Sequence, residues 1–243
     1  IHYTSRIQTA VLPSSDILNN HAEDHFILFK PRDVVSGDFY WMKEKGNKLV
    51  LVAADCTGHG VPGAFMSMLG VSFLNEIVNK DSVYTAGVML DELRYLVKST
   101  LSHSKEQKAD GMDLSLVIID KKNMSMQFAG AYNHLYLFRN QELSVTKADR
   151  MPIGNYIGKE KSFTNHEIQL EKGDTFYILS DGYPDQFDKH SQKKFSTKQL
   201  KTVFSEIHTW PMAEQKKYLD NTFNEWKGNH WQMDDVLVVG VRI

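Results

Sequence analysis

Apolar residues recur at Tyr3, Ile7, Ala10 and Val11, a helical spacing that predicts a short amphipathic helix over residues 3–12, ended by Pro13. The pattern then changes. Residues 25–30 and 38–44 are rich in aromatic and aliphatic side chains, Gly46-Asn47 is a hairpin signal, and the run KLVLVAA over 48–54 predicts a buried strand. From 64 to 79 the helical period returns, with Phe65, Met68, Leu69, Phe73, Ile77 and Val78 on one face. A second helix is expected over 85–102, facing inward through Val88, Met89, Leu93, Leu96 and Val97. Strands are expected at 114–119, 125–129, 134–138, 163–170 and 175–180, with turns at Lys121-Lys122-Asn123 and Lys172-Gly173-Asp174. Helices over 196–207 and 212–227 and a strand over 236–242 complete the pattern.

Strands, two helices, many closely linked strands, two helices and a strand make a layered α+β domain with mostly antiparallel sheets. No internal repeat or interdomain linker interrupts the 243 residues. Hydrophobic residues at 42% and charged residues at 24% are those of an ordinary globular domain. A formal net charge of -2 gives no reason to expect nucleic-acid binding. The single cysteine, Cys56, excludes an internal disulfide framework and fits a reducing compartment, so a cytoplasmic location is expected. No apolar run is read as long enough to span a bilayer. The chain opens on Ile1 rather than Met, from which we expect a fragment of a longer chain, with room upstream for a sensor or membrane anchor.

Acidic residues stand where apolar runs meet loops. Asp38 follows Gly37 before a strand, Asp55 follows LVLVAA, Asp181 follows FYILS and precedes Gly182, and Asp234-Asp235 precedes VLVVGV. Singly, such Asp-Gly and Gly-Asp pairs are ordinary turn dipeptides. Jointly, they put carboxylates on rigid strand ends, where converging negative charge calls for a cation. Hard oxygen donors suit Mg²⁺ or Mn²⁺, and no Cys/His spacing for structural zinc is present. A two-metal site activates water and clamps a phosphoryl group without a covalent nucleophile. Consistently, there is neither a Gly-x-Ser-x-Gly elbow nor a Walker loop.

The motifs Val35-Ser36-Gly37-Asp38-Phe39-Tyr40, Ala54-Asp55-Cys56-Thr57-Gly58-His59-Gly60-Val61-Pro62-Gly63, Ser180-Asp181-Gly182 and Asp234-Asp235-Val236 stand in this order. Together they resemble the PPM-type (protein phosphatase 2C-like) serine/threonine phosphatases of the bacterial SpoIIE/RsbU branch. The resemblance covers nearly all of the chain after residue 20. It implies a four-layer αββα sandwich over 21–243, two antiparallel sheets flanked by helices, preceded by a linker or regulatory helix over 1–20. It also implies two Mn²⁺ or Mg²⁺ ions. Carried over by motif, Asp55 is the bridging ligand, the Cys56 carbonyl binds one ion, Asp181 and Asp234 hold the other, and Asp38 acts directly or through water. Asp235 is the alternative to its neighbour Asp234. Eukaryotic relatives place a histidine two residues after the bridging aspartate as general acid. That place is Thr57 here, and His59 is the candidate instead, against a reading as a helix-capping loop residue. The stretch Phe128–His134 lacks the aspartate that binds a third metal in some relatives, which leaves Asp113 or Asp110 to approach the site.

The implied activity is hydrolysis of phosphoserine or phosphothreonine on a regulatory protein, by resemblance a STAS-type anti-anti-sigma factor. The implied setting is the output end of a larger signalling protein with an upstream sensor, with a homodimer formed through the first helix. The first helix is either a signal-transmitting linker or a packing helix. The alternatives are a phosphoprotein-binding or signal-relay module without catalysis, and a small-molecule phosphoesterase. Arg32 is read as a surface residue or a phosphate contact, and Asn133 and His134 as loop residues or substrate contacts.

Overall fold

The computed structural model describes residues 2–80, 84–101, 110–190 and 193–243, with side chains from residue 5 onward. Helix α1 (His2–Val11) and a 3-10 turn (Ser15–Asn20) precede β1 (Asp24–Lys30), β2 (Phe39–Lys45) and β3 (Lys48–Cys56). Helices α2 (Gly60–Asn79) and α3 (Ala86–Leu101) come next. Then follow β4 (Gly111–Asp120), β5 (Ser125–Ala131), β6 (Leu135–Arg139), β7 (Glu142–Thr146), β8 (Ile153–Gly154), β9 (His166–Gln169) and β10 (Thr175–Leu179). The short α4 (Gly182–Asp185), α5 (Thr197–Ile207), α6 (Met212–Lys227) and β11 (Val236–Arg242) complete the order.

One sheet runs β1-β11-β10-β6-β7 and the other β2-β3-β4-β5-β9, with β8 added beside β4. The ladders are antiparallel, as short connections require. The central strands are continuous apolar runs because each is buried on both faces. On β3, Leu49, Leu51 and Ala53 enter the core between the sheets, while Val50, Val52 and Ala54 meet α2 and α3. On β11, Leu237, Val239 and Val241 face the other sheet, while Val236 and Val238 pack on the α5/α6 side. The layers are therefore α2/α3, sheet, sheet, α5/α6, which is the expected αββα sandwich.

Four expectations are corrected. On α1 the inward residue is Gln8, and Ile7 and Val11 are exposed, because the helix meets a polar loop rather than an apolar surface. The buried face of α2 runs through Gly63, Ala64, Met66, Ser67, Gly70, Val71 and Leu74, leaving Phe65 66% exposed. Small residues face inward there because Phe39 packs so closely that a Cβ on Gly70 would lie 2.7 Å from its ring. On α3, Val88 likewise faces out while Leu90 is buried. By length and composition α2 is long and apolar enough to cross a membrane, contrary to the reading of the apolar runs, yet half of its most apolar window is buried within the fold. The side chain of Tyr3 and residue Ser102 lie outside the described residues.

Leu237 is fully buried between the sheets. Truncation to alanine in Leu237→Ala is expected to lower unfolding stability by about 2–5 kcal/mol, read from the urea midpoint.

Candidate active site

Side chains alternate along a strand, so parity decides which acids enter the space between the sheets. Asp55 continues the inward series Leu49, Leu51, Ala53. Asp113 lies opposite Asp55 in register and shares the parity of Val117 and Ile119. Asp38 continues the series of Met42 and Tyr40, and Asp235 that of Leu237 and Val239. Ser180 follows Phe176 and Ile178. These positions meet at one end of the sandwich, where Ser180 Oγ donates to Asp38 Oδ2 at 2.5 Å and accepts from the Leu237 amide at 3.0 Å.

Burial and like charge act together here. Burial pushes the Asp38 carboxyl well above the usual range against the pull of the Ser180 hydroxyl, and the charges of Asp235, Asp234 and Asp181 push it further. Asp55 is raised well above its usual value by burial, then by Asp38, Asp181 and Asp234. Asp181 is raised by burial first and then by the charges of Asp185 and Asp234, while its interaction with Asp55 and the charge of Lys194 pull it down. Asp113 is pushed up to about 7 by burial and the charge of Asp181.

The two members of Asp234-Asp235 differ in their partners. Asp235 is buried and accepts from the backbone amides of Arg32 and Gly37, each at 2.7 Å, so it braces the loop before β2. Asp234 is half-buried, its carboxyl accepts among the described residues from the amide of Asp235 through Oδ1 at 2.8 Å, and its charge reaches Asp38, Asp55 and Asp181. Backbone oxygens crowd the same place. A Cβ on Gly37 would lie 2.6 Å from the Gly58 carbonyl oxygen and 3.2 Å from that of Cys56. Gly182 is required by close approach, since a Cβ there would overlap the Asp235 carbonyl oxygen.

The remaining sequence candidates divide. His59 sits at the N-cap position of α2 without a side-chain cap bond, its ring 3.2 Å from Asp33 on the exposed rim. The Arg32 guanidinium donates to the Met233 carbonyl. The Cys56 side chain is buried toward the helices, its thiol raised by burial, and only its backbone faces the loop. Asn133 and His134 line a cavity that also reaches Ser180 and Asp181. Asp110 is half-buried beside β4. Two residues were not singled out from the sequence. Ser180 was visible only as a member of the Ser180-Asp181-Gly182 motif. Gln8 joins α1 to the site loop through both atoms of its amide, Nε2 to Ser36 O at 2.6 Å and Oε1 from Ser36 N at 3.0 Å, and also reaches Ser67 Oγ. A buried glutamine on an otherwise apolar-patterned helix leaves no sequence signal.

Among the described residues, no three His, Cys, Asp or Glu side chains close into a ready-made ion cage. Carboxylate and carbonyl oxygens instead converge in a sparse, hard set. Mg²⁺ keeps several of its waters and takes one or two carboxylates, so the donor chemistry fits such an ion without a full protein cage.

Two antiparallel sheets between helical layers, with acidic groups gathered at one end between the sheets, define a PP2C-type phosphatase domain. The SiaA-PP2C domain of Pseudomonas aeruginosa is similar at a TM-score of 0.90 and 33% identity, over 100% of this chain and 95% of that one. The PP2C domain of SpoIIE from Bacillus subtilis, solved with a fragment of its regulatory domain, gives 0.71 at 22% identity, over 90% and 61%. The RsbU and RsbW domains of a Mycobacterium tuberculosis protein give 0.68 at 18%, over 90% and 59%. No curated protein matches the chain in sequence. The family model of stage II sporulation protein E (SpoIIE) matches residues 45–243, and the chain belongs to this family of PP2C-like phosphatases.

The split between the paired aspartates is testable. In Asp235→Ala the buried Gly37 amide loses its acceptor, with an expected cost of about 1–3 kcal/mol in urea denaturation. Asp234→Ala removes a like charge and is expected to leave the urea midpoint unchanged or raised.

Proposed function

We propose that the chain hydrolyses phosphoserine or phosphothreonine on a regulatory protein, with two Mn²⁺ or Mg²⁺ ions. The convergence of Asp38, Asp55 and Asp181 at one end of the inter-sheet space carries this reading. The ions would be held by Asp55, Asp181, Asp234 and the Cys56 carbonyl, with Asp38 direct or through water. RsbX, a neighbour of the same fold, was solved in complex with magnesium. Such ions lower the pKa of a bound water and neutralise phosphoryl oxygens. The chain's own contribution is placement. Strand ends fix Asp55 and Asp38, Ser180 orients Asp38, and Asp235 holds the Arg32–Gly37 backbone against them. His59 on the rim is the candidate proton donor to the leaving serine oxygen.

In this proposal the substrate is a small phosphoprotein such as a STAS-type anti-anti-sigma factor, and the domain, residues 21–243, acts in the cytoplasm as the output of a longer sensor chain. Neighbours described as the RsbU and RsbW domains of one protein and as part of the bacterial stressosome support a phosphoprotein partner. The Gln8 clamp on Ser36 supports reading α1 as a regulatory linker, which would also be the contact of a homodimer.

Purified protein is expected to cleave p-nitrophenyl phosphate and a phosphoserine peptide with Mn²⁺. EDTA is expected to abolish turnover and Asp55→Ala to lower kcat/KM at least about 100-fold. Turnover that survives both treatments sinks the mechanism. Calorimetric Mn²⁺ titration separates an enzyme from a relay module, which need bind no ion.

A further inference from the structure

Beside the acidic centre lies a cavity of about 180 Å³, lined by Tyr132, Asn133, His134, Tyr136, Pro184 and Thr197, with Ser180 and Asp181 on its inner wall. It is too small for a nucleotide or other free metabolite, whose pockets run to about 300–1,000 Å³. It is large enough for one side chain. Asp181 is common to its wall and to the acidic centre.

Donors line it, and cations stand near it outside the lining. Asn133 Nδ2 is buried and has no hydrogen-bond partner among the described residues, a costly arrangement unless a ligand supplies an acceptor. His134 Nδ1 accepts from the Ala148 amide at 3.1 Å. In the neutral ring this leaves the proton on Nε2, which is then a donor. Burial lowers the His134 pKa first, and the charges of Lys201, Lys147 and Arg150 lower it further, so three cations stand near this ring. Lys201 Nζ lies 5.7 Å from the centre of the Tyr136 ring. None of the three cations forms an ion pair among the described residues, while the neighbouring Asp149 is already paired with Lys161. Thr197 opens α5, whose N-terminal end adds positive potential.

We propose that this cavity is a specificity subsite that takes a carboxylate side chain of the phosphoprotein, adjacent in the substrate to the phosphorylated residue. The inference rests on the phosphatase reading and names a feature of its substrate. An acidic neighbour would accept from Asn133 and His134 and meet the field of Lys201, Lys147 and Arg150. A neutral neighbour would leave those donors unmatched.

The test uses phosphoserine peptides identical except for Glu, Gln or Lys at the residues flanking phosphoserine, with Mn²⁺. The wild type is expected to prefer Glu over Gln about 10-fold in kcat/KM, through KM with kcat little changed. The preference is expected to fall below about 2-fold in the double variant Lys201→Gln/Arg150→Gln, whose exposed or half-exposed positions make misfolding an unneeded explanation. Raised salt should erode the preference in the same direction. Equal kcat/KM for Glu and Gln peptides in the wild type, or a preference that survives the double variant, overturns the proposal. Failure of the phosphatase reading looks different: no turnover of any peptide or of p-nitrophenyl phosphate. In that event fluorescence anisotropy of the labelled peptides on the Mn²⁺-loaded protein still reads the Glu-over-Gln preference, and equal binding overturns the subsite.

Discussion

Carboxylates held at the mouth of an apolar slab resist ionisation, and the rest of this structure follows from that constraint. Asp38, Asp55 and Asp181 are each raised by burial first and by neighbouring carboxylates second, Asp185 and Asp234 in the case of Asp181. A fold tolerates such a group only if partners fix its geometry and something offsets its charge. Here the partners are a serine hydroxyl and a neighbouring carboxyl. The sandwich supplies the slab, and its alternating strands choose which acids enter it.

Around that centre lies a ring of braces. Asp235 holds two backbone amides, Ser180 ties β10 to Asp38 and to β11, and Gln8 ties α1 to Ser36. Each joins segments remote in sequence, so the centre is a tertiary object rather than a loop motif. The same logic separates two adjacent aspartates of identical chemistry: one is held by a backbone donor on each oxygen, and the other has a single such donor.

Much of this was legible in sequence because strands buried on both faces are continuous apolar runs, and an acid directly after such a run stands out. Asp55 after LVLVAA and Asp181 after FYILS were visible for that reason, and the layered α+β class followed from the order of helices and strands, while the αββα sandwich came from the resemblance to the phosphatase family. Orientation was harder to read. Helix α2 is apolar nearly all round, so its periodicity did not show that glycine and alanine face inward while Phe65 faces solvent. The start of α2 at Gly60 was hidden because glycines there read as a loop. Strand β7 was missed because ELSVT is a half-exposed edge with little apolar signal. Contacts between polar groups far apart in the chain, such as Gln8 with Ser36, carry no local pattern at all.

Asp235 meets the amides of Arg32 and Gly37 across separations of 203 and 198 residues, and β11 lies between β1 and β10, second from the edge of its sheet. A growing polypeptide therefore makes Asp38 and Asp55 early, and the loop before β2 gains its Asp235 brace only once the last strand has been made. A chain truncated before residue 234 would hold Asp38, Asp55 and Asp181 without that brace.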